Sequence, residues 1–258
     1  MPARGTSGPV SAHDAVLLRK GALVARLAQS REDVVAAQSL RGLCFHGGGL
    51  EIDAFDPKCS HVLIEQSGGT VLGCFRMQLL TGPEIRTSYA ARFYDVSALA
   101  RTDPAAGPLV EIGRFCIHPD HSLNPDVLRL AWGAMTAFVD RSGTQFLFGC
   151  SSFAGTDPAA YLDSFALLAE RHLAPPDWAP RIKAPQVYRF AQRTRGAPDI
   201  KRARAQMPPL LRTYLMMGGQ VSDHAVIDRD MNTLHVFTGV AVAAIPEARK
   251  RLLRAVAG

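Results

Sequence analysis

Arg41, Asp53, Asp56, Arg76, Glu111 and Arg114, with the ring of Phe45, stand in segments that otherwise read as core. Guanidinium forks suit a carboxylate, and an acid on a buried strand takes up a proton directly or through a water. Buried charge is costly unless it is paired or used. The economical reading is one polar pocket in an apolar body, the usual mark of a site.

The elements that must position these residues follow from local pattern. A strand is expected over residues 23–27. Ser30-Arg-Glu-Asp33 is a capping-box pattern that starts a helix. Ala36, Leu40, Leu43 and Cys44 give that helix an apolar stripe, with Arg41 and Phe45, four apart, on one face. Gly47-Gly48-Gly49 stops it. Residues 61–66 and 70–80 are strand formers joined by a Ser67-Gly68-Gly69 turn. Alternation puts Arg76 on the face of Cys74 and Gln78. Residues 81–108 are irregular, with a short helix near 90–94. Residues 109–117 read as a buried central strand, where Glu111 and Arg114, three apart, would face opposite ways. One extra residue at Gly113 turns both to the same side and frees a backbone N–H.

Further along, a helix is expected over 126–141, a strand over 146–151, and a helix after Thr156-Asp157-Pro158. Pro208-Pro209 opens another helix, which Gly218-Gly219 closes. Strands over 221–227 and 233–242 flank the polar run 228–232. The alternation predicts one mixed α/β domain over residues 21–258, with a basic insertion around 176–206 and a flexible segment over 1–20.

The 258 residues are 47% hydrophobic and 20% charged, enough for one large core. The uncharged run 237–245 falls far short of the roughly 20 residues that span a membrane. The first twenty residues lack the apolar stretch of a secretion signal. Five scattered cysteines read as reduced, buried thiols. Cys59-x-His61 and His118-Pro-Asp-His121 lack the spacing of zinc sites, so no metal is expected. The net charge of +6 is concentrated. Arg181, Lys183, Arg189, Arg193, Arg195, Lys201, Arg202 and Arg204 face Asp199 alone, and Arg249, Lys250, Arg251 and Arg254 end the chain. Such patches attract an acidic protein or an anionic membrane face. Nucleic acid is not expected, since no recognition motif accompanies the bases. A cytoplasmic protein with peripheral contact to the inner membrane is the expectation.

The order Arg41-x-x-x-Phe45, Asp53-x-x-Asp56, Arg76, Glu111-x-x-Arg114 resembles the acyl-homoserine lactone (autoinducer) synthases. Four blocks resemble the bacterial L-ornithine Nα-acyltransferases more closely. They begin Glu51-Ile-Asp-Ala-Phe-Asp, Glu111-Ile-Gly-Arg-Phe-Cys, Met207-Pro-Pro-Leu-Leu-Arg and Asp223-His-Ala-Val-Ile-Asp. The resemblance spans roughly residues 20–250. It implies a GNAT-like fold: a mixed, mostly antiparallel central sheet with a bulged central strand and flanking helices. It implies transfer of a 3-hydroxyacyl chain from acyl carrier protein to the α-amine of L-ornithine, giving lyso-ornithine lipid. No cofactor is permanently bound; the 4'-phosphopantetheine of the carrier is the donor arm. Relatives that use acetyl-coenzyme A carry a basic, glycine-rich loop after the central strand. Here that place reads His118-Pro-Asp-His-Ser-Leu-Asn-Pro-Asp, with no Gly, Arg or Lys, which favours a carrier protein as donor.

For that reaction Glu111 is the candidate general base, through a water, or the ion-pair partner of Arg114; the two roles can coexist. The backbone at Gly113 and Phe115 is the candidate oxyanion donor. Arg41, Arg76 and Arg114 are candidates to grip the ornithine carboxylate. Asp53 and Asp56 either take its side-chain ammonium or lock Arg41 and Arg76, and locking is favoured. Phe45, Asp228, Asp230 and Asn232 complete the acceptor candidates, a hairpin turn being the other reading of the last three. Phe75, Met77, Phe115, Phe146 and Phe148 line an acyl tunnel or fill the core. Arg181, Lys183, Arg193, Arg195, Lys201, Arg202 and Arg204 form the candidate carrier dock. The alternatives are an autoinducer-synthase-like acyltransferase and a non-catalytic protein that binds the carrier or a membrane.

Overall fold

The computed structural model describes residues 15–101, 107–193 and 197–257. Strands β1 (Val16–Lys20) and β2 (Leu23–Leu27), helix α1 (Arg31–His46) and strands β3 (Ser60–Gln66) and β4 (Val71–Leu80) come first. Then follow β5 (Tyr94–Asp95), β6 (Leu109–Ile117), α2 (Pro125–Ser142), β7 (Phe146–Ala154) and α3 (Leu162–Arg171). β8 (Arg181–Ile182), β9 (Val187–Tyr188), α4 (Ile200–Gln206) and α5 (Pro209–Met216) come next. β10 (Gln220–Val221), β11 (Ala225–Asp228), β12 (Thr233–Ala241) and α6 (Glu247–Ala257) complete the chain. The architecture is mixed α/β with a mostly antiparallel sheet and flanking helices, as the sequence led us to expect. Two compact units divide the chain. One holds the residues up to Arg76 and Arg114–Phe138 with the C-terminal end; the other holds Met77–Gly113 and Val139–Arg251.

In the first unit β1, β2 and β3 pair antiparallel in sequence order, and β4 neighbours β3 across the turn at Gly68 and Gly69. Both glycines take positive φ, 111° and 87°, which explains the two-glycine turn. β1 occupies residues expected in a flexible segment; the part of that segment up to residue 14 lies outside the described residues. Ala37 and Leu40 of α1 pack on Leu63, Cys74 and Cys116, with Phe45 and Cys44 at the margin.

In the second unit β6 pairs parallel with β7, and β7 pairs antiparallel with β12 over nine residues, from Thr233↔Ala154 to Ala241↔Phe146. β11 pairs β12 and β9, and β10 also pairs β12. Gly149 explains the tight approach of β6 and β7: a Cβ there would lie 2.2 Å from Ile112 O. Phe148 stacks on Phe237 at 5.6 Å, and Phe146 meets Trp178 edge-on at 5.1 Å, so these phenylalanines fill the core. The basic stretch is folded into this unit: Phe190 and Ala203 are buried with Phe165 and Leu168 of α3.

Candidate active site

The first unit assembles its charges from the N-terminus of α1 onward. Ser30 Oγ accepts from Asp33 N–H at 3.2 Å, and the Asp33 carboxylate accepts from Ser30 and Gln29 N–H, so the expected capping box starts the helix. The same carboxylate takes a bidentate pair from Arg26 at 2.7 and 2.8 Å. Hydrogen bonding from Arg26 outweighs burial and holds Asp33 at about 2. Gly47, at φ 77°, ends the helix. Gly42 leaves room for the glycine loop beyond, since a Cβ on it would lie 2.0 Å from Gly49 O. Burial then alternates: Leu50 and Ile52 point out, while Glu51 is buried and Asp53 half-buried. The Gln38 carbonyl accepts from Glu51 N–H at 3.1 Å and pins this segment to α1.

Three guanidiniums meet three carboxylates there. Arg41, 1% exposed, donates Nη1 and Nη2 to the two oxygens of Asp56 at 2.9 Å each, and Nε to Glu51 Oε2. Its Nη2 also reaches the Glu51 carbonyl at 2.6 Å. Arg76 Nη1 donates to Asp53 Oδ1 at 2.7 Å and to Asp56 Oδ1 at 2.6 Å. Arg114 Nε donates to Glu51 Oε1 at 2.9 Å, and its Nη2 pairs with Asp53 Oδ2 at 2.9 Å. Gln38 Nε2 adds a bond to Asp56 at 2.9 Å, and Phe55 N–H one to Asp53 at 2.7 Å. Burial pushes both aspartates up. The bonds and charge of Arg41 on Asp56, and of Arg76 on Asp53, outweigh it and hold both carboxyls below the usual range. Arg41, Arg76 and Arg114 thus already meet protein carboxylates, which fits locking better than gripping a substrate carboxylate. Beneath the cluster His61 Nε2 lies 3.1 Å from Asp56 O, and burial lowers its pKa.

The structure brings Arg41, Asp53, Asp56, Arg76 and Arg114 together, while Phe45, one turn after Arg41 on α1, packs at the margin of the apolar cluster of Ala37, Leu40, Leu63, Cys74 and Cys116. It adds Glu51 and Gln38, which sequence reasoning missed as site residues. The signals were present: Glu51 precedes Asp53 by two just after a glycine stop, and Gln38 precedes Arg41 by three on α1.

β6 carries the expected irregularity. Its left-handed residue is Arg114, at φ 53°, one position after Gly113. A non-glycine residue in that region costs about 1–2 kcal/mol. In the second unit Glu111 is buried, and its two oxygens accept separate backbone donors: Oε1 from Ala90 N–H at 2.7 Å and Oε2 from Tyr89 N–H at 2.8 Å. The 3-10 turn Ala90–Arg92 presents these N–H groups, and Ser88 Oγ accepts that of Ala91 at 3.2 Å. Glu111 therefore orients an irregular segment that offered little to sequence reading.

Asp228, Asp230 and Asn232 form the β11–β12 turn in the second unit. Asp228 Oδ1 accepts from Met231 N–H at 3.1 Å, and Asn232 takes φ 49°. Tyr94, unremarked in the sequence, is buried; its hydroxyl donates to His235 O at 2.7 Å and lies 3.0 Å from His235 Nδ1. Of the carrier-dock candidates, Arg181, Lys183, Arg193, Lys201, Arg202 and Arg204 are exposed, with Arg202 paired to Asp163. Lys183 Nζ donates to Ala91 O at 2.6 Å, and Arg193 lies over the Tyr188 ring at 4.7 Å. Arg195 lies outside the described residues.

An acetyltransferase (GNAT) domain family matches residues 35–132, the stretch that carries Arg41, Glu51, Asp53, Asp56, Arg76, Glu111 and Arg114. Among solved structures, the loading GNATL domain of CurA from Lyngbya majuscula is similar at 13% identity with a TM-score of 0.49, over 86% of this chain and 98% of that one. The mixed sheet and the domain matched over residues 35–132 give the chain a GNAT-like fold. The chain is 32% identical over 244 residues to the L-ornithine N(alpha)-acyltransferase of Rhodobacter capsulatus, covering 87% of this chain and 92% of that protein. It is 32% identical to the enzyme of the same name from Brucella abortus, over 87% of this chain and 86% of that one. The chain belongs to the L-ornithine N(alpha)-acyltransferase family.

Proposed function

We propose that this acyltransferase moves a 3-hydroxyacyl chain from the phosphopantetheine thioester of an acyl carrier protein to the α-amine of L-ornithine, giving lyso-ornithine lipid. The observation that carries the acceptor is the 32% identity over nearly the whole chain to enzymes named for it. Support for the carrier as donor comes from residues 118–126. In place of a glycine-rich cradle they form a 3-10 turn, Pro119–His121, and the start of α2 bears Asp126. Acid in the first helical turn disfavours a pyrophosphate there.

In this reading Glu111 takes a proton from the α-amine through a water. The two N–H bonds hold its carboxylate in place for that transfer. The amine nitrogen attacks the thioester carbonyl, and the C–N bond forms. Backbone N–H groups at Gly113 and Phe115, next to the left-handed Arg114, are assigned to the oxyanion. The C–S bond then breaks, and the phosphopantetheine sulfur leaves and takes up a proton as free thiol. The arginine–carboxylate cluster keeps the segment around Glu51 and Asp53 in one arrangement. Arg181, Lys183, Arg193, Arg195, Lys201, Arg202 and Arg204 remain the candidate dock for the acidic carrier.

The test uses purified protein, a 3-hydroxyacyl carrier thioester and either L-ornithine or S-adenosylmethionine, with thiol release as readout. Release with ornithine is expected. Release only with S-adenosylmethionine would make the chain an autoinducer-type synthase, and release with neither would make it a binding protein. An acyl-coenzyme A that works as well as the carrier thioester would remove the donor assignment.

A further inference from the structure

The guanidiniums expected to grip the acceptor's carboxylate are spent on protein carboxylates: Arg41 and Arg76 on Asp56, and Arg114 on Glu51. A substrate that carries a carboxylate and a side-chain ammonium therefore needs other partners. The second unit holds a cavity of about 470 Å³, in the size range of small-molecule clefts, whose lining includes Arg86, Ala91, Asp95, Ser97 and Lys183.

Arg86 is exposed on the 3-10 turn Pro83–Thr87, and among the described residues no hydrogen bond or ion pair engages it. Lys183 Nζ donates once, to Ala91 O at 2.6 Å, and an ammonium has three N–H groups to give. Asp95 stands on β5 opposite Arg181 of β8, and one of its oxygens accepts the Ser97 N–H at 3.0 Å. That bond, with the Ser97 hydroxyl and the charges of Arg181 and Lys183, holds the Asp95 carboxyl below its usual range, so it is an anion at neutral pH.

The lining thus presents two cations and one anion. A simple anion would use Arg86 and Lys183 and meet repulsion from Asp95, and a simple cation would meet the reverse. A carboxylate joined to a separate ammonium uses all three. The cavity also adjoins the seat of the proposed base. Ala91 in its lining follows Ala90, whose N–H binds Glu111 Oε1 at 2.7 Å, in the same 3-10 turn.

We propose that this cavity is the acceptor site, where Arg86 and Lys183 take the carboxylate of an α-amino acid and Asp95 takes its side-chain ammonium. The assignment rests on the acyl-transfer reading, in which that amino acid is L-ornithine. The α-amine, engaged by none of the three, is left to Glu111.

The experiment compares L-ornithine with L-norvaline, which has the same carbon chain and no side-chain amine, in the thiol-release assay. Arg86→Ala should raise KM for both by about tenfold or more, since a charge-assisted bond to the carboxylate is lost. Asp95→Asn keeps an oxygen for the Ser97 N–H and should raise KM for ornithine about tenfold, leaving KM for norvaline within about twofold of the parent. In both variants kcat should change far less than KM, and the thermal midpoint should stay in place. A parent-like KM for ornithine in either variant would overturn the proposal. So would an Arg86→Ala defect confined to KM for the carrier thioester, which would give the cavity to the phosphate of the donor arm. If the parent releases no thiol with ornithine, the acyl-transfer reading fails by itself, and calorimetric titration of L-ornithine judges the cavity. Binding heat that Arg86→Ala abolishes keeps it as an amino-acid site; no heat from the parent, or equal heat from the variant, removes it.

Discussion

Glu51 and Glu111 are each 6% exposed, yet their surroundings have little in common. Glu51 bridges two guanidiniums, Arg41 and Arg114, inside a cluster of three positive and three negative side chains. Glu111 rests on two backbone N–H groups of a 3-10 turn. A carboxylate between fixed cations is a structural tie, because releasing it leaves a buried guanidinium without its partner. Glu111 instead accepts two backbone N–H groups, and on the proposed mechanism the carboxylate so held is the proton acceptor. On the proposed mechanism the difference separates two tasks that look alike in the sequence: keeping a loop in place and moving a proton.

The contrast breaks most sharply at Glu111. Glu111→Gln keeps the size of the side chain and one acceptor, but sets an amide NH2 against one of the two backbone donors. Loss of a general base predicts a fall in kcat of about 10²–10⁴-fold, with KM for the acceptor changed far less. If thiol release stays within a few-fold of the parent while the melting temperature drops, Glu111 is a tie like Glu51 and the distinction fails. Asp56→Ala attacks the other side. Asp56 serves Arg41, Arg76 and Gln38 at once, so truncation should cost about 3–5 kcal/mol of unfolding free energy in urea titration. A loss under about 1 kcal/mol would mean that water replaces the carboxylate and that the cluster does not hold the loop.

Much of this was legible in the residues. The capping box, the glycine stop of α1 and the hairpin at Gly68 and Gly69 are local signals, and each element fell where its own residues placed it. The odd spacing of Glu111 and Arg114 pointed to a break in β6, and the left-handed φ of Arg114 lies there. Local pattern does not name partners. Nothing in residues 81–108 announces that Tyr89 and Ala90 will turn their N–H groups toward Glu111, because backbone donors carry no residue signature. Glu51 was readable only as half of an alternation with Asp53. The helix α4 inside the basic stretch was hidden by its prolines and by charge that masks the buried Ala203.

Acid should weaken the arginine–carboxylate pairs of the first unit by titration alone. Asp53, Asp56 and Asp33 have native pKa values below the unfolded value near 3.9, so their contribution is complete above about pH 5. It is lost as pH falls through the native values, about 2 for Asp33. Each such group steepens the decline by at most roughly 1.4 kcal/mol per pH unit. Asp33→Asn removes one of them, and the urea midpoint followed from pH 4 to 2 should decline less steeply than in the parent. An unchanged slope would show that Asp33 keeps its Arg26 pairing in the unfolded chain as well.

The smallest effect concerns the exposed bases of α4, which the structure divides. Arg202 is occupied by Asp163, while its N–H is capped by Asp199 at 3.0 Å. Reversing Arg202 would therefore disturb the α3–α4 contact as well as any partner. Lys201 and Arg204 lie on the same short helix, three apart, both exposed. Lys201→Glu with Arg204→Glu should leave the melting temperature in place, because surface charge pairs contribute only about 0–1 kcal/mol. Carrier-protein affinity should fall a few-fold at low ionic strength, and the loss should shrink as salt shortens the screening length to about 8 Å. Unchanged carrier affinity at low salt would move the dock away from α4 and leave Arg181 and Arg193 as the bases to reverse next.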